Sequence, residues 1–205
     1  MNNTVHVIDQ DLINGALDYH GYRDMIKLLL QERKTTGNNH SDEMVAYTKM
    51  NDQRMNRWDK KVMINEELTE IVKQLPAMNW LIITEAWCGD AAQNIPFIAK
   101  LADLNEKINL RLILRDEHPE VMDAYLTNGA KSIPILVMLN QQMEEQGKWG
   151  PRPEPIQKMV LESKQKPSLD KLAFVESIHK WYADDKMQTI QQEFIRLIKN
   201  FNTHE

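Results

Sequence analysis

The sequence predicts an α/β protein, a small mixed β-sheet flanked by helices, with further helices appended at both ends. Three observations carry that prediction. Between Trp80 and Trp149, short apolar runs alternate with helix-patterned segments, the order that builds a β-α-β unit followed by a helix and two more strands. The residues before Leu75 and after Gly150 instead repeat their apolar positions every three to four residues, the period of an amphipathic helix. The length of 205 residues suits one domain of roughly 100–150 residues plus additions rather than two independent domains.

Each element has its own warrant. Leu12, Ala16 and Leu17, then Met25, Ile26, Leu29 and Leu30, predict a helix pair or a bent helix with a break near Gly21. The stretch TTGNNHSD reads as a loop. Ser41 or Asp42 then caps a second helix that carries Met44, Tyr47, Met55, Trp58 and Val62 on one face, a stripe expected to pack into the core. Asn65, followed by Glu66 and Glu67, starts a third helix that ends before Pro76. Next come a strand from Trp80 to Glu85, a helix from Gly89 to Lys107, a strand from Leu110 to Leu114 and a helix from Pro119 to Asn128. Gly129 stands where a helix C-terminus places glycine. Two strands follow, Ile133 to Leu139 and Met143 to Trp149, and Pro151, Pro153 and Pro155 predict an extended connector. Beyond Pro167 a long helix is expected, with Leu169, Leu172, Ile178 and Trp181 early and Ile190, Phe194, Leu197 and Phe201 late. The chain thus divides into a helical segment 1–74, a core 75–150 and a helical segment 151–205. The three are expected to form one cooperative unit, with Trp58 and Trp181 buried and the additions lying away from Cys88.

Composition narrows the function. The net charge of −5 and the lack of a sustained Lys/Arg stripe argue against nucleic acid or anionic membrane as partner. MNNTVHVIDQDL has neither a basic nor an apolar leader region, and the longest apolar run, Ile135 to Leu139, falls far short of the ~20 residues of a membrane span. A cytoplasmic protein is expected. The six histidines show no zinc-binding spacing and no glycine-rich phosphate loop is present, so neither a metal nor a cofactor is expected.

The chemistry centres on the single cysteine, Cys88, in TEAWCGDAAQNIP. A strand running into a helix puts the thiol at the helix N-terminus, where unpaired N–H groups and the helix dipole favour thiolate. Three residues on stands Ala91, so no internal disulfide forms. Asp90 in the first helical turn stabilises the helix dipole. Two further roles are open to it: raising the thiol pKa by like-charge repulsion, or relaying a proton. Arg115, Asp116, Glu117 and His118 follow the second strand and read as a solvated loop. Lys148 to Arg152 turn the chain toward the C-terminal helix, with Arg152 within reach of an anionic group.

The strand order, the WCG turn, Pro96 inside the following helix and Ser132-Ile133-Pro134 opening the next strand together resemble the thioredoxin-like superfamily over Leu75 to Gly150. WCGDAAQ, LRDEHPE and WGPRP are similar to a bacterial, single-cysteine branch of it. The resemblance implies that Cys88 is the nucleophile, that Pro134 matches the family's cis-proline, and that Trp87, Gly89, Ile133 and Pro134 border the substrate. It also implies a buried carboxylate six residues before the cysteine, but Ile82 stands there, with Glu85 assigned to the other strand face. Three functions follow. The first is monothiol exchange, in which Cys88 forms a mixed disulfide with a protein or glutathione-like thiol that an external thiol must release. The second is a non-catalytic binding module, and the third a glutathione-dependent transferase or reductase. The oligomeric state is not legible.

Overall fold

The computed structural model describes residues 7–165 and 170–203. Its centre is a four-stranded sheet in the order β2-β1-β3-β4, built from β1 (Met78–Thr84), β2 (Ile108–Leu114), β3 (Ile135–Leu139) and β4 (Glu145–Trp149). β1 runs parallel to β2 and antiparallel to β3, and β4 is antiparallel to β3. Every residue of β1 and β3 is buried, which explains their unbroken apolar runs; a strand covered on both faces shows no alternation. Edge strand β4 stays largely exposed.

Around the sheet lie α1 (Gln10–Gly15), α2 (Tyr19–Gln31), α3 (Asp42–Lys61), α4 (Glu66–Lys73), α5 (Gly89–Ala102), α6 (Pro119–Ala124), α7 (Glu154–Ser163), α8 (Lys171–Asp185) and α9 (Gln188–Lys199). Ser41 and Asn65 cap α3 and α4 through their side-chain oxygens. Helix α3 packs along α5, burying Met55, Trp58 and, just past its end, Val62. Helix α9 lays Phe194 against the rings of Trp80, Phe97 and Trp149, with centroids 6.3, 5.4 and 5.7 Å away. Burying each such side chain contributes roughly 1.5–3 kcal/mol, so this aromatic cluster bonds the C-terminal helix firmly to the sheet.

Several expected boundaries move, each for a local reason. The N-terminal break falls at Ala16–Asp18 rather than near Gly21, because Leu17 exchanges two backbone hydrogen bonds with Leu112 of edge strand β2. Gly21 instead donates to the capping carboxylate of Asp18. Helix α5 stops at Ala102, not Lys107, where the Asn105 side-chain amide donates to the Val72 and Leu75 carbonyls and redirects the chain. Helix α6 ends at Ala124, before Asn128 and Gly129, which both take positive φ.

The prolines past Gly150 do not make an extended connector. Pro153 caps α7 and Pro155 sits in its first turn, where a missing N–H removes no helical bond. The expected long C-terminal helix is two helices, broken at Lys186 and Met187, both left-handed (φ 52° and 66°). There the Asp185 carboxylate accepts hydrogen bonds from the Thr189 N–H and hydroxyl, giving the backbone a local alternative to helix. The stripe on α8 is less buried than expected: Trp181 is half-buried, and Leu172 and Val175 are 74% and 45% exposed. Pro167 and Leu169, assigned to the start of that helix, lie outside the described residues. The additions also reach the Cys88 turn rather than avoiding it.

Candidate functional site

Cys88 ends the turn after β1 and occupies the N-cap position of α5, where its side chain makes no capping bond. The residue is 9% exposed, and its Sγ–H donates to the Ile133 carbonyl at 3.3 Å. The helix N-terminus favours thiolate here, with a pKa-raising effect of Asp90 left open by the sequence. The structure gives the opposite balance, because burial and then the Asp90 charge push the thiol pKa up to about 12. The N–H groups of Ala91 and Asp90 and the charge of Arg152 pull the other way and are outweighed. A helix N-terminus acidifies a thiol only while the sulfur keeps its solvent or a strong cation.

Ile133 and Pro134 face Cys88 from the start of β3. The Ile133–Pro134 and Gly150–Pro151 peptide bonds are both cis. At Gly150 (φ 125°) an added Cβ would lie 2.3 Å from the Pro134 carbonyl oxygen; only glycine fits there.

The WGPRP loop delivers Arg152 to Asp90. The Arg152 Nε and Nη2 donate to Asp90 Oδ2 at 2.8 and 2.6 Å, the Tyr182 hydroxyl donates to Asp90 Oδ1 at 2.9 Å, and Arg152 Nη1 donates to Gln157. Burial works against the Arg152 charge, but Asp90 more than offsets it and raises the guanidinium pKa. The anionic group within reach of Arg152 is therefore the protein's own Asp90.

Trp87 is half-buried and stacks under Arg115, whose Cζ sits 4.8 Å from the ring centroid. Arg115 is thus packed against the Cys88 turn, while Asp116 and Glu117 are exposed, as expected of a solvated loop. Glu85 is fully buried, with Oε1 accepting the Asp116 N–H at 2.9 Å. Burial raises its carboxyl pKa.

Sequence reasoning missed the residues that α3 and α8 contribute. The buried Asn51 amide donates to the Ala86 carbonyl, and its oxygen accepts from Arg54. The Trp58 Nε1–H donates to Gln93 Oε1 at 2.6 Å, which turns the Gln93 amide nitrogen toward His179 Nδ1 at 3.1 Å. Nδ1 must then accept, so the imidazole is neutral. Burial and the nearby Arg54 lower the His179 pKa to about 4, against a smaller opposing effect of Asp90. No spacing signal marks these residues, since they meet the Cys88 turn from across the chain. Among the described residues, no group of three His, Cys, Asp or Glu side chains is arranged to hold a metal, and no helix is long and apolar enough to cross a membrane.

Because His179 is neutral when folded and free to protonate when unfolded, its contribution to stability is present above its ordinary pKa of ~6.5. It is lost as pH falls through about 4. Amide exchange in α8 is expected to accelerate over that window in the wild type and to show less pH dependence in His179→Gln. A wild-type profile flat between these limits would remove this account of α8 docking.

No curated protein matches the chain. Its fold resembles an HIV epitope-scaffold crystal structure, with 14% identity, coverage of 92% of this chain and 96% of that one, and a TM-score of 0.62. It also resembles a protein of unknown function from Pseudomonas aeruginosa, at 14% identity, 89% and 98% coverage and a TM-score of 0.56. The thioredoxin family profile matches residues 37–169, taking in α3, α4 and α7 as well as the sheet. That match spans well over half of the sequence, and the chain belongs to the thioredoxin family.

Proposed function

We propose that this thioredoxin-family chain, a member of the single-cysteine WCGDAAQ branch, works as a binding module in the bacterial cytoplasm. In this reading its Cys88 is held as a covered, protonated thiol. One observation carries the reading: the only thiol is 9% exposed, donates to Ile133 and has its pKa pushed up to about 12. A nucleophile needs the reverse on each count. Trp87 and Gly89, the chain neighbours of Cys88, border a groove, while the thiol itself is turned to the Ile133 carbonyl.

A second reading, monothiol exchange, is favoured by the placement of Sγ against the residue preceding Pro134 at the head of α5. There the Cys88 thiolate would attack one sulfur of a disulfide, form the mixed disulfide and expel the other sulfur as thiolate, and an external thiol would release the product. The two readings part on Cys88→Ser. The protein purified without reductant from its own cytoplasm is expected to keep its partners after this substitution, with no band on non-reducing gels that reductant removes. Partners held by wild type as a reducible adduct and absent from Cys88→Ser would replace the first reading with the second.

A further inference from the structure

Beside the Cys88 turn, α3 and α8 diverge to leave a groove of about 370 Å³, bordered at one end by Trp87, Gly89 and Asp90. That volume lies in the range of small-molecule sites. Its walls are apolar: Met44 and Tyr47 from α3 face Val175 and Ile178 from α8, with Tyr47 and Val175 38% and 45% exposed. One cation stands among them. Arg54 is half-buried and lines the groove; its Nη1 lies 3.8 Å from where a Cβ on Gly89 would sit.

Arg54 is held in place but not neutralised. Among the described residues its one hydrogen bond is to Asn51 Oδ1, and Asn51 is itself anchored to the Ala86 carbonyl. Burial and the neighbouring Arg57 both lower its pKa, and among the described residues no carboxylate offsets them. Asp90, the carboxylate on the same wall, is already engaged by Arg152 and Tyr182. A half-buried guanidinium without an anion is unfavourable, and the fold fixes this one beside an open apolar groove.

We propose that this groove binds a small amphipathic monocarboxylate, whose apolar chain lies on Met44, Tyr47, Val175 and Ile178 and whose carboxylate pairs with Arg54. Bidentate pairing suits the planar guanidinium. A single negative charge matches a single uncompensated cation, and Asp90 on the same wall disfavours a dianion such as phosphate. The inference deepens the binding-module reading by naming a ligand class, and it does not involve the sulfur.

Calorimetric titration of the full chain with octanoate and its uncharged counterpart octan-1-ol tests it. Octanoate is expected to bind at least about tenfold more tightly than the alcohol, the scale of one charge-assisted contact. Arg54→Gln should abolish that preference while leaving the alcohol's affinity unchanged, and Cys88→Ser should alter neither. Octanoate no tighter than octanol, or an unchanged preference in Arg54→Gln, overturns the proposal. Chemical-shift mapping on wild type guards against a misfolded variant: octanoate should perturb Met44, Tyr47 and Val175, and shifts confined to other surfaces overturn it equally. If octanoate fails while Cys88→Ser retains its partners, the ligand class falls and the binding-module reading stands.

Discussion

Near neutral pH, Cys88 of the folded protein is expected to react with iodoacetamide at least a hundredfold more slowly than the same cysteine in urea. The thiolate is the reacting species. A pKa of about 12, against an ordinary ~8.5, lowers its population by roughly a thousandfold, before burial restricts access. Burial is the larger cause and the Asp90 charge the second, so Asp90→Asn should speed the reaction only partly. The same shift links to stability. Between the ordinary thiol pKa and about 12, the unfolded chain gives up a proton that the folded chain keeps, so stability falls as pH rises through this window. Cys88→Ser should flatten that part of the curve. Equal alkylation rates for folded and denatured protein would show that the thiol is neither covered nor held protonated.

What the sequence revealed and what it hid divide along the range of the interactions involved. Trp80 to Ile83, Ser41 and Asn65 act through neighbouring residues or through a strand pattern, and each marks its element within a few positions. The family resemblance likewise rested on local motifs, the WCG turn and Ser-Ile-Pro. Helix α7 was lost because three prolines read as extended chain, whereas Pro153 and Pro155 occupy the positions at a helix start that tolerate them. The break at Lys186 and Met187 contains no glycine to announce it.

At the site, local motifs mark Cys88, Asp90 and Pro134 and leave open a pKa-raising effect of Asp90, but they do not decide the sign of the thiol's environment. That sign depends on burial and on groups distant in sequence, and a helix-dipole argument alone leaves out desolvation. Tyr182 reaches Asp90 across 92 residues and His179 reaches Gln93 across 86. A tyrosine and a histidine three residues apart on an amphipathic helix carry no mark of that role. Glu85 was assigned to a strand face by alternation, yet it lies past the end of a strand buried on both faces, where alternation holds no information.

The Asp90–Arg152 pair is expected to dominate the energetics of the site. Both side chains are about six-sevenths buried, at 16% and 14% exposure, so water replaces a lost partner poorly. Arg152→Met should destabilise the protein by about 3 kcal/mol, because it leaves the Asp90 carboxylate enclosed with Tyr182 as its remaining side-chain donor. Adding Asp90→Asn to that variant should recover part of the loss, since the uncompensated charge disappears. The double-mutant cycle is therefore expected to show coupling of at least about 1 kcal/mol. The pair also acts on the sulfur with opposite signs, Asp90 raising and Arg152 lowering the Cys88 pKa. Under conditions where each variant is still folded, Asp90→Asn should shift the alkylation pH profile to lower pH and Arg152→Met to higher pH, although both destabilise the fold. A purely structural pair would move both profiles in the same direction, through easier opening. Additive free energies together with parallel shifts would show that this ion pair neither couples nor tunes the thiol.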